Sequence, residues 1–267
     1  MNTHHASKDL QAAARLALSC LDLTELGEAC TAADVDRLCE RAQGRAASGA
    51  VLPPVAAVCV WPAFAAQARR QLPVGIAVAG VVNFPSGDEP IEAVREQIAQ
   101  LRAAGAQEVD CVLPWKALLA GDEAHCAQVL AQVREASQGM VLKLILESGA
   151  LERDDTIARA CALGLRAGVD FLKTSTGKIP QGASLAAART MLNAIAADPR
   201  RDRLGFKPSG GLRTVADVQP YLAAVESILG AGALVPSRFR IGASGLWNDI
   251  AQVLGAAPPP AAANTTY

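Results

Sequence analysis

Short apolar runs alternate along the chain with longer segments in which apolar residues recur every three or four positions. Runs of this kind, rich in Val, Ile, Leu and Ala, are typical of strands that are buried on both faces of a parallel sheet. Eight of them predict eight strands. They cover residues 18–24, 55–61, 75–84, 108–114, 141–147, 171–177, 204–210 and 240–245.

The segments between these runs carry the helical period. In 91–104, apolar residues stand at positions 91, 94, 98 and 101, which places them on one face of a helix. Residues 214–217, Thr-Val-Ala-Asp, resemble a helix capping box with Asp in place of the usual Glu. Helices are predicted over residues 33–47, 91–104, 124–137, 154–167, 184–197 and 215–229.

Strands and helices that alternate in this way indicate a parallel sheet covered by helices, and eight strands are enough to close a barrel. We therefore predict an α/β protein, a single (β/α)8 TIM barrel over residues 1–256. An open, doubly wound sheet is the alternative, and the lack of a G-x-G-x-x-G motif after the first run disfavours it. Residues 257–267 are rich in Pro and Ala and end in Tyr267, which predicts a short flexible tail.

Composition and charge narrow the possible functions. The chain has 267 residues, of which 51% are hydrophobic, and its net charge of −1 comes from scattered residues. Because the basic residues form no patch, neither a nucleic acid nor a membrane surface is expected as a partner. Aromatic residues make up only 4%, which also argues against a platform for base stacking. Seven Cys without a C-x-x-C spacing favour a reducing compartment, and the polar first ten residues lack an apolar signal core. We therefore expect a cytoplasmic protein.

Histidine is scarce, with only three in the chain. No cluster of His, Cys and carboxylate residues has the spacing of metal ligands. We therefore predict neither a bound metal nor a cofactor, and a Ser-His-Asp mechanism is disfavoured.

The lysines carry the strongest chemical signal. Only six of the 25 basic residues are Lys, and Lys173 lies in the middle of the apolar, β-branched run 171–177. Because the run 171–177 itself contains no acidic residue, burial favours the neutral amine, which is a nucleophile. A structural ion pair is the alternative for this lysine. In a barrel, the lysine would lie near the C-terminal ends of the strands, where barrel enzymes carry their active sites.

Residues on other strands are candidate partners for Lys173. Lys207 lies in the neighbouring strand, where a second ammonium would lower the pKa of the first amine. Asp110 is a candidate to move protons, with a structural hydrogen-bonding role as the alternative. Lys143 either belongs to this network or simply pairs with Asp110, and alternation places it on the same face as Glu147, which we expect to be structural. Together, the amines and the carboxylate suit imine formation with a carbonyl substrate.

Glycine-bearing loops follow the last three predicted strands. The backbone N–H groups of such loops can converge on an anion, and the late loops of barrels commonly hold phosphate. Each loop alone is equally compatible with an ordinary turn. Together they predict a phosphorylated carbonyl substrate. The candidate phosphate-binding residues are Gly177, Lys178, Gly210, Gly211, Arg213, Gly242 and Ser244.

Two motifs at these positions resemble those of the deoxyribose-phosphate aldolase family. They are Phe-Leu-Lys-Thr-Ser-Thr-Gly-Lys at 171–178 and Lys-Pro-Ser-Gly-Gly-Leu-Arg-Thr at 207–214, a specific pair at this separation. Shorter similarities run in the same order from about Leu21 to Gly245. Gly245 itself departs from the family, whose members often have a second Ser there, and the lost hydroxyl is expected to weaken phosphate contact.

The resemblance implies a (β/α)8 barrel and a class I, metal-free aldolase. Such an enzyme cleaves 2-deoxy-D-ribose 5-phosphate reversibly to D-glyceraldehyde 3-phosphate and acetaldehyde. Lys173 would be the Schiff-base lysine, and Lys207 and Asp110 the proton donor and acceptor. Some relatives end in a tyrosine that reaches the active site. The supporting network expected around the three catalytic residues comprises Lys143, Asp22, Thr24, Cys59, Thr174 and Tyr267.

Three alternative functions stay open at this point. They are an aldolase of the same architecture with another phosphorylated donor, a non-catalytic sugar-phosphate-binding barrel, and an isomerase. The scarcity of His and the lack of a strong Glu base disfavour the isomerase. Helix surfaces rich in Ala are compatible with close packing between subunits, so a homodimer is a further expectation.

Overall fold

The computed structural model describes residues 2–46 and 48–256. Eight short strands lie within these residues, and each overlaps one of the eight predicted apolar runs. The predicted tail with Tyr267 lies outside the described residues, so its boundary after residue 256 stays a prediction. The strands are β1 (Leu21–Glu25), β2 (Ala57–Val60), β3 (Ala77–Val82), β4 (Glu108–Val112), β5 (Val141–Ile145), β6 (Phe171–Lys173), β7 (Gly205–Lys207) and β8 (Ile241–Ala243).

The strands form one parallel sheet in chain order from β1 to β7, with β8 beside β1. Between β7 and β8, the pairs Phe206–Phe239 and Ser209–Gly242 form parallel bridges. The Gly242 amide donates a hydrogen bond to the Pro208 carbonyl at 2.9 Å. The sheet therefore closes on itself, which confirms the (β/α)8 barrel and excludes the open, doubly wound alternative.

Eleven α-helices surround the strands in the described part of the chain. The helices are α1 (Asn2–Ser19), α2 (Ala32–Ala42), α3 (Ala65–Gln71), α4 (Ile91–Ala103), α5 (Trp115–Leu119), α6 (Glu123–Ala136), α7 (Ser148–Leu151), α8 (Asp154–Ala167), α9 (Leu185–Ala197), α10 (Val215–Leu229) and α11 (Leu246–Val253). Six of them, α2, α4, α6, α8, α9 and α10, confirm the segments predicted from the helical period.

The sequence pattern does not predict α1, although this helix is one of the longest. Ala14, Ala17 and Leu18 are its fully buried residues, and the helix packs against α10 and α11. The buried side chains are mostly Ala, so the apolar stripe is faint, and Leu18 belongs to this helix rather than to the first strand. No helix among the described residues is long and apolar enough to cross a membrane.

Helix α10 begins with the predicted capping box. The hydroxyl of Thr214 accepts a hydrogen bond from the Asp217 amide at 3.2 Å, and the Asp217 carboxylate accepts one from the Thr214 amide at 2.8 Å. These bonds satisfy backbone donors that have no partner within the first turn of a helix. Asp therefore replaces Glu here without loss of either bond.

Buried apolar side chains form two separate clusters. The larger one fills the layer between the strands and the helices. The smaller one lies inside the barrel and draws mainly on β2 to β5, so charged groups occupy the rest of the interior. Its members are Leu26, Cys59, Ala79, Val81, Phe84, Val112 and Ile145.

Candidate active site

The charged part of the barrel interior is a single network that we call the charged centre. Alternation along the strands explains it, because Glu108 and Asp110 are two residues apart on β4 and Lys143 is paired with Asp110 in the β4–β5 register. Lys173 and Lys207 are likewise register partners on β6 and β7. All members are buried. The charged centre consists of Asp22, Glu108, Asp110, Lys143, Lys173, Lys207 and Arg240.

Lys173 and Lys207 share one carboxylate oxygen. The Nζ of Lys173 lies 2.8 Å from Asp110 Oδ2, and the Nζ of Lys207 lies 2.7 Å from the same atom. The approach of the two amines that the neighbouring strands predict is therefore present, with Asp110 between them. Lys173 also lines an open cleft, whereas Lys207 and Asp110 are fully buried. Of these three groups, Lys173 is the one that a ligand in the cleft can reach.

Lys143 is surrounded by carboxylates. Its Nζ lies 2.9 Å from Asp110 Oδ1, 2.5 Å from Glu108 Oε2 and 3.2 Å from Asp22 Oδ2. Its partners therefore hold it as an ammonium, and it orients Asp110 on the side opposite Lys173. Alternation does not carry over to Glu147, because that residue follows β5 in the left-handed conformation with φ 56°. Its carboxylate accepts hydrogen bonds from the amide and hydroxyl of Thr176 instead, so the expectation of a face shared with Lys143 is wrong.

Two members of the charged centre were not predicted from the sequence. Arg240, just before β8, donates to Asp22 Oδ1 at 2.6 Å and to Glu108 Oε1 at 2.7 Å. Glu108 opens β4 two residues before Asp110, so strand alternation could have placed it on the inner face. Arg240 carried no such signal, since it stands at the edge of a run and finds its partners only across the closed barrel.

The charges of the centre do not balance at their ordinary values. Among the described residues of the centre, four basic groups face three carboxylates. Burial lowers the pKa of Lys173, and the nearby ammonium of Lys207 lowers it further, against the opposing effect of Asp110. For Lys143 and Lys207, burial is outweighed by carboxylates, Asp110 first in each case, and their pKa values are raised. Loss of the proton from Lys173 would therefore balance the charged centre.

Asp110 stays ionised. Burial alone would raise its pKa, but the ammonium groups around it, that of Lys143 first, hold its pKa well below the usual range. The thiol of Cys59 lies 4.0 Å from Asp110 Oδ2, and burial raises the pKa of that thiol to about 11, with the charge of Asp110 adding to the effect. Cys59 therefore borders the site as an uncharged thiol, and it also belongs to the inner apolar cluster.

The other predicted supporting residues lie at the edge of the centre. The Thr24 hydroxyl donates to the Asp22 carbonyl at 2.9 Å, and Thr24 lines the cleft. Thr174 faces away from the amines, since its hydroxyl accepts from the Ser209 amide at 2.9 Å and donates to the Ser209 carbonyl at 3.0 Å. Thr174 therefore fixes the strand ends to each other, and its part in catalysis stays a prediction.

Lys173 opens into a cleft of about 470 Å³. All seven candidate phosphate-binding residues line it. They lie in three loops, namely 176–178, 209–213 and 242–245. The structure thus brings together three loops, of which the first and the last are more than 60 positions apart in the sequence. Their role in holding phosphate stays a prediction.

The cleft offers donors and positive charge. Gly177, Gly210 and Gly211 have φ values of 77°, 86° and 84°, which favour glycine and turn the backbone toward the cleft. Within the described chain, the amides of Gly211 and Gly245 have no hydrogen-bond acceptor. The side chain of Arg213 is exposed at the rim. An anion can therefore meet backbone N–H groups, the start of α11 and a guanidinium in one place.

Lys178 and Ser244 are held at the rim by backbone carbonyls. The Nζ of Lys178 donates to the Leu26 carbonyl at 2.6 Å, and the Ser244 hydroxyl donates to the Thr24 carbonyl at 2.8 Å. One bond joins a late loop to the end of β1 and the other to the residue that follows β1.

Fold and site together define a (β/α)8 barrel with a buried lysine amine at the base of a glycine-lined cleft. The chain belongs to the DeoC/LacD family of aldolases, whose sequence pattern matches residues 16–248. It is 42% identical over 255 residues to the deoxyribose-phosphate aldolase of Agrobacterium fabrum, across 94% of this chain and 95% of that protein.

Solved structures show the same fold. A candidate deoxyribose-phosphate aldolase from Toxoplasma gondii superposes with a TM-score of 0.81 at 24% identity, over 94% of this chain and 96% of its own. The tetrameric deoxyribose phosphate aldolase of Aeropyrum pernix superposes with a TM-score of 0.66 at 24% identity, over 93% of this chain and 97% of its own. At this level of identity, the likeness shows the fold alone.

Proposed function

We propose that this protein is a class I aldolase that cleaves 2-deoxy-D-ribose 5-phosphate reversibly to D-glyceraldehyde 3-phosphate and acetaldehyde. The observation that carries the proposal is the buried amine of Lys173, held 2.8 Å from Asp110 at the base of a glycine-lined cleft. The family and the 42% identical deoxyribose-phosphate aldolase support the choice of substrate.

The reaction begins at the aldehyde carbon, C1, of the open-chain sugar. The Nζ of Lys173 adds to C1, the carbinolamine loses water, and a protonated imine forms. The imine draws electrons from the C2–C3 bond, which breaks as the C3 hydroxyl loses its proton. D-glyceraldehyde 3-phosphate leaves, and the two-carbon enamine on Lys173 takes a proton at C2. Addition of water to the resulting imine then releases acetaldehyde and the free amine.

Lys207 and Asp110 are placed to handle the protons of these steps. The ammonium of Lys207 is held by Asp22 at 2.5 Å and by Asp110 at 2.7 Å, and it stands beside the reacting amine. It can donate the proton that the carbinolamine hydroxyl needs in order to leave as water. Asp110 connects the two amines through one oxygen, so a proton can pass between them without a large movement.

The three loops that line the cleft are assigned to the phosphate. A phosphate bound by Gly211, Arg213 and the start of α11 would sit at one end of the cleft, with Lys173 at the other. Binding through the phosphate would hold C1 next to the amine.

Assembly and compartment belong to the same proposal. The Aeropyrum pernix structure is a tetramer, and we propose a homo-oligomer, with a homodimer as the smallest form. All seven cysteines of the chain are free thiols, which supports a reducing, cytoplasmic setting.

Reductive trapping tests the proposal. Borohydride added with acetaldehyde is expected to attach a two-carbon label to Lys173, located by peptide mapping. In the Lys173→Arg control, whose guanidinium stays protonated and cannot supply a neutral amine, the label is expected to vanish, and kcat is expected to fall at least about 10⁴-fold. Label on Lys178, the other lysine of the cleft, or no label in the parent protein would reject the mechanism.

Substrate comparison completes the test. Acetaldehyde is expected to serve as the donor toward D-glyceraldehyde 3-phosphate, and dihydroxyacetone phosphate is not. The reverse preference would point to an aldolase with another phosphorylated donor. Chelators are expected to leave the rate unchanged.

A further inference from the structure

Arg240 lies at the far side of the charged centre from the cleft. It is 7% exposed, and among the described residues it is not part of the cleft lining. Its guanidinium stacks above the ring of Phe171 at 5.8 Å. Gly205 makes room for that ring, because a Cβ there would stand 2.2 Å from it. Arg240 is thus packed into a fixed position and does not touch the reacting atoms.

A short series of contacts joins Arg240 to Lys173. Arg240 donates to Asp22 at 2.6 Å, and the other oxygen of Asp22 accepts from Lys207 at 2.5 Å. Lys207 and Lys173 then share Asp110 Oδ2. A second route runs through Glu108 and Lys143 to the same Asp110. A change of charge at Arg240 is therefore felt at Lys173 through buried groups that water does not screen.

Arg240 supplies the fourth positive charge in the centre. Three lysines alone would balance the three carboxylates with every amine protonated. With Arg240 present, one cation is in excess, and the excess is relieved at the group that can lose a proton and that has the fewest carboxylate partners. Lys173 has one carboxylate partner, Lys207 has two and Lys143 has three.

We propose that Arg240 is a positioning residue that keeps Lys173 uncharged, because its permanent positive charge pairs with the carboxylates of Asp22 and Glu108. This inference rests on the proposed function, in which the free amine of Lys173 is the nucleophile. Arginine suits the position because it does not release its proton in a protein.

Other groups that face Lys173 act in the expected directions. Asp110 on β4 opposes loss of the proton, and Lys207 on β7 favours it. Burial raises the pKa of Cys59 on β2, so that thiol stays neutral. Burial also raises the pKa of Glu147, which follows β5, although its hydrogen bonds from Thr176 oppose that effect. Lys143 and Asp22 act through Asp110 and Lys207.

The test is the pH profile of imine trapping with acetaldehyde and cyanoborohydride. Arg240→Gln removes the excess charge, so Lys173 should hold its proton more tightly. The midpoint is expected to move up by roughly one pH unit, the size of effect that one charge has at about 10 Å with an effective dielectric constant near 20. At pH values below the midpoint of the parent protein, trapping would then slow about tenfold, and it would recover at alkaline pH.

Two matched variants separate charge from structure. Arg240→Lys keeps the charge, and its midpoint is expected to stay at that of the parent protein. Arg240→Gln combined with Glu108→Gln removes one charge of each sign, so its midpoint should return toward that of the parent. A purely structural role would instead move Arg240→Lys and the double variant along with Arg240→Gln, or would lower the rate equally at every pH.

Glu108→Gln alone keeps the inference testable if Arg240→Gln does not fold. Removal of a carboxylate increases the excess of cations, so the midpoint is expected to fall below that of the parent. An unchanged midpoint in Arg240→Gln, or a constant or higher midpoint in Glu108→Gln, would overturn the inference. Absence of label at Lys173 in the parent protein would instead reject the proposed function.

Discussion

The interior of the barrel has an apolar side and a charged side, and the side chains of both are buried. Val112 and Asp110 stand two residues apart on β4 and face inward, and both are fully buried; the same holds for Ile145 and Lys143 on β5. The boundary between the two sides therefore runs along individual strands. Burial of charge stabilises a fold poorly, since desolvation offsets most of the attraction between the ions. The apolar side thus stabilises the fold, and the charged side is the one to which we assign the proposed chemistry.

The change Asp110→Asn, on the charged side, is expected to have the largest effect on kcat. It removes the oxygen shared by Lys173 and Lys207, so proton transfer between them is lost and kcat is expected to fall about 10³-fold. Lys173 keeps its free amine, and acetaldehyde should still be trapped on it. A variant that retained more than about a tenth of the parent kcat would show that Asp110 is structural.

The change Ile145→Ala should break the apolar side instead. A cavity in the inner cluster is expected to lower the free energy of unfolding by about 3 kcal/mol, with kcat within about threefold of the parent. Urea denaturation and steady-state rates measure the two quantities. Ile145→Val is the matched control, with an expected cost of about 1 kcal/mol. A large loss of kcat in the folded Ile145→Ala protein would mean that the two sides do not work separately.

The change Arg213→Gln tests the cleft above the charged side. The guanidinium has no side-chain partner among the described residues and stands at the rim, so it is free to meet a phosphate. Loss of one charged hydrogen bond is expected to raise KM for 2-deoxy-D-ribose 5-phosphate about tenfold. The kcat/KM for 2-deoxy-D-ribose, which lacks the phosphate, should not change. An equal loss for both sugars would contradict the assignment.

The change Lys116→Gln gives the reference for an ion pair outside the barrel. Lys116 and Asp88 lie 2.7 Å apart, and the side chain of each is 53% exposed. Exposed pairs of this kind contribute little, so the free energy of unfolding should fall by less than about 0.5 kcal/mol. A loss of stability as large as that expected for Ile145→Ala would mean that an exposed ion pair contributes as much as buried apolar packing.

The alternation of apolar runs and helical segments was enough to predict the barrel, because each strand and helix carries its own local period. It was also enough to bring Lys173 and Lys207 together, since neighbouring strands in a barrel are usually consecutive. The glycine loops were likewise found from local sequence, as a loop after a late strand has only one end of the barrel to occupy.

The parts that the sequence did not predict depend on closure or on local backbone. Arg240 and Glu108 are 132 positions apart and meet only because β8 lies beside β1 and the strands are staggered. Glu147 leaves the strand in a left-handed conformation that no period indicates. Helix α1 was hidden by its small side chains, since Ala marks a buried face only weakly.

Asp22 also has a mechanical consequence for the barrel. Between β7 and β8 the sheet closes through two separate bridges rather than a continuous ladder. Inside that joint, one carboxylate holds Lys207 of β7 with one oxygen and Arg240, next to β8, with the other. Asp22 therefore links the two ends of the sheet where they meet, through one ion pair to Lys207 and another to Arg240. A substitution at Asp22 is therefore expected to weaken the closure between β7 and β8 as well as to change the charge of the centre.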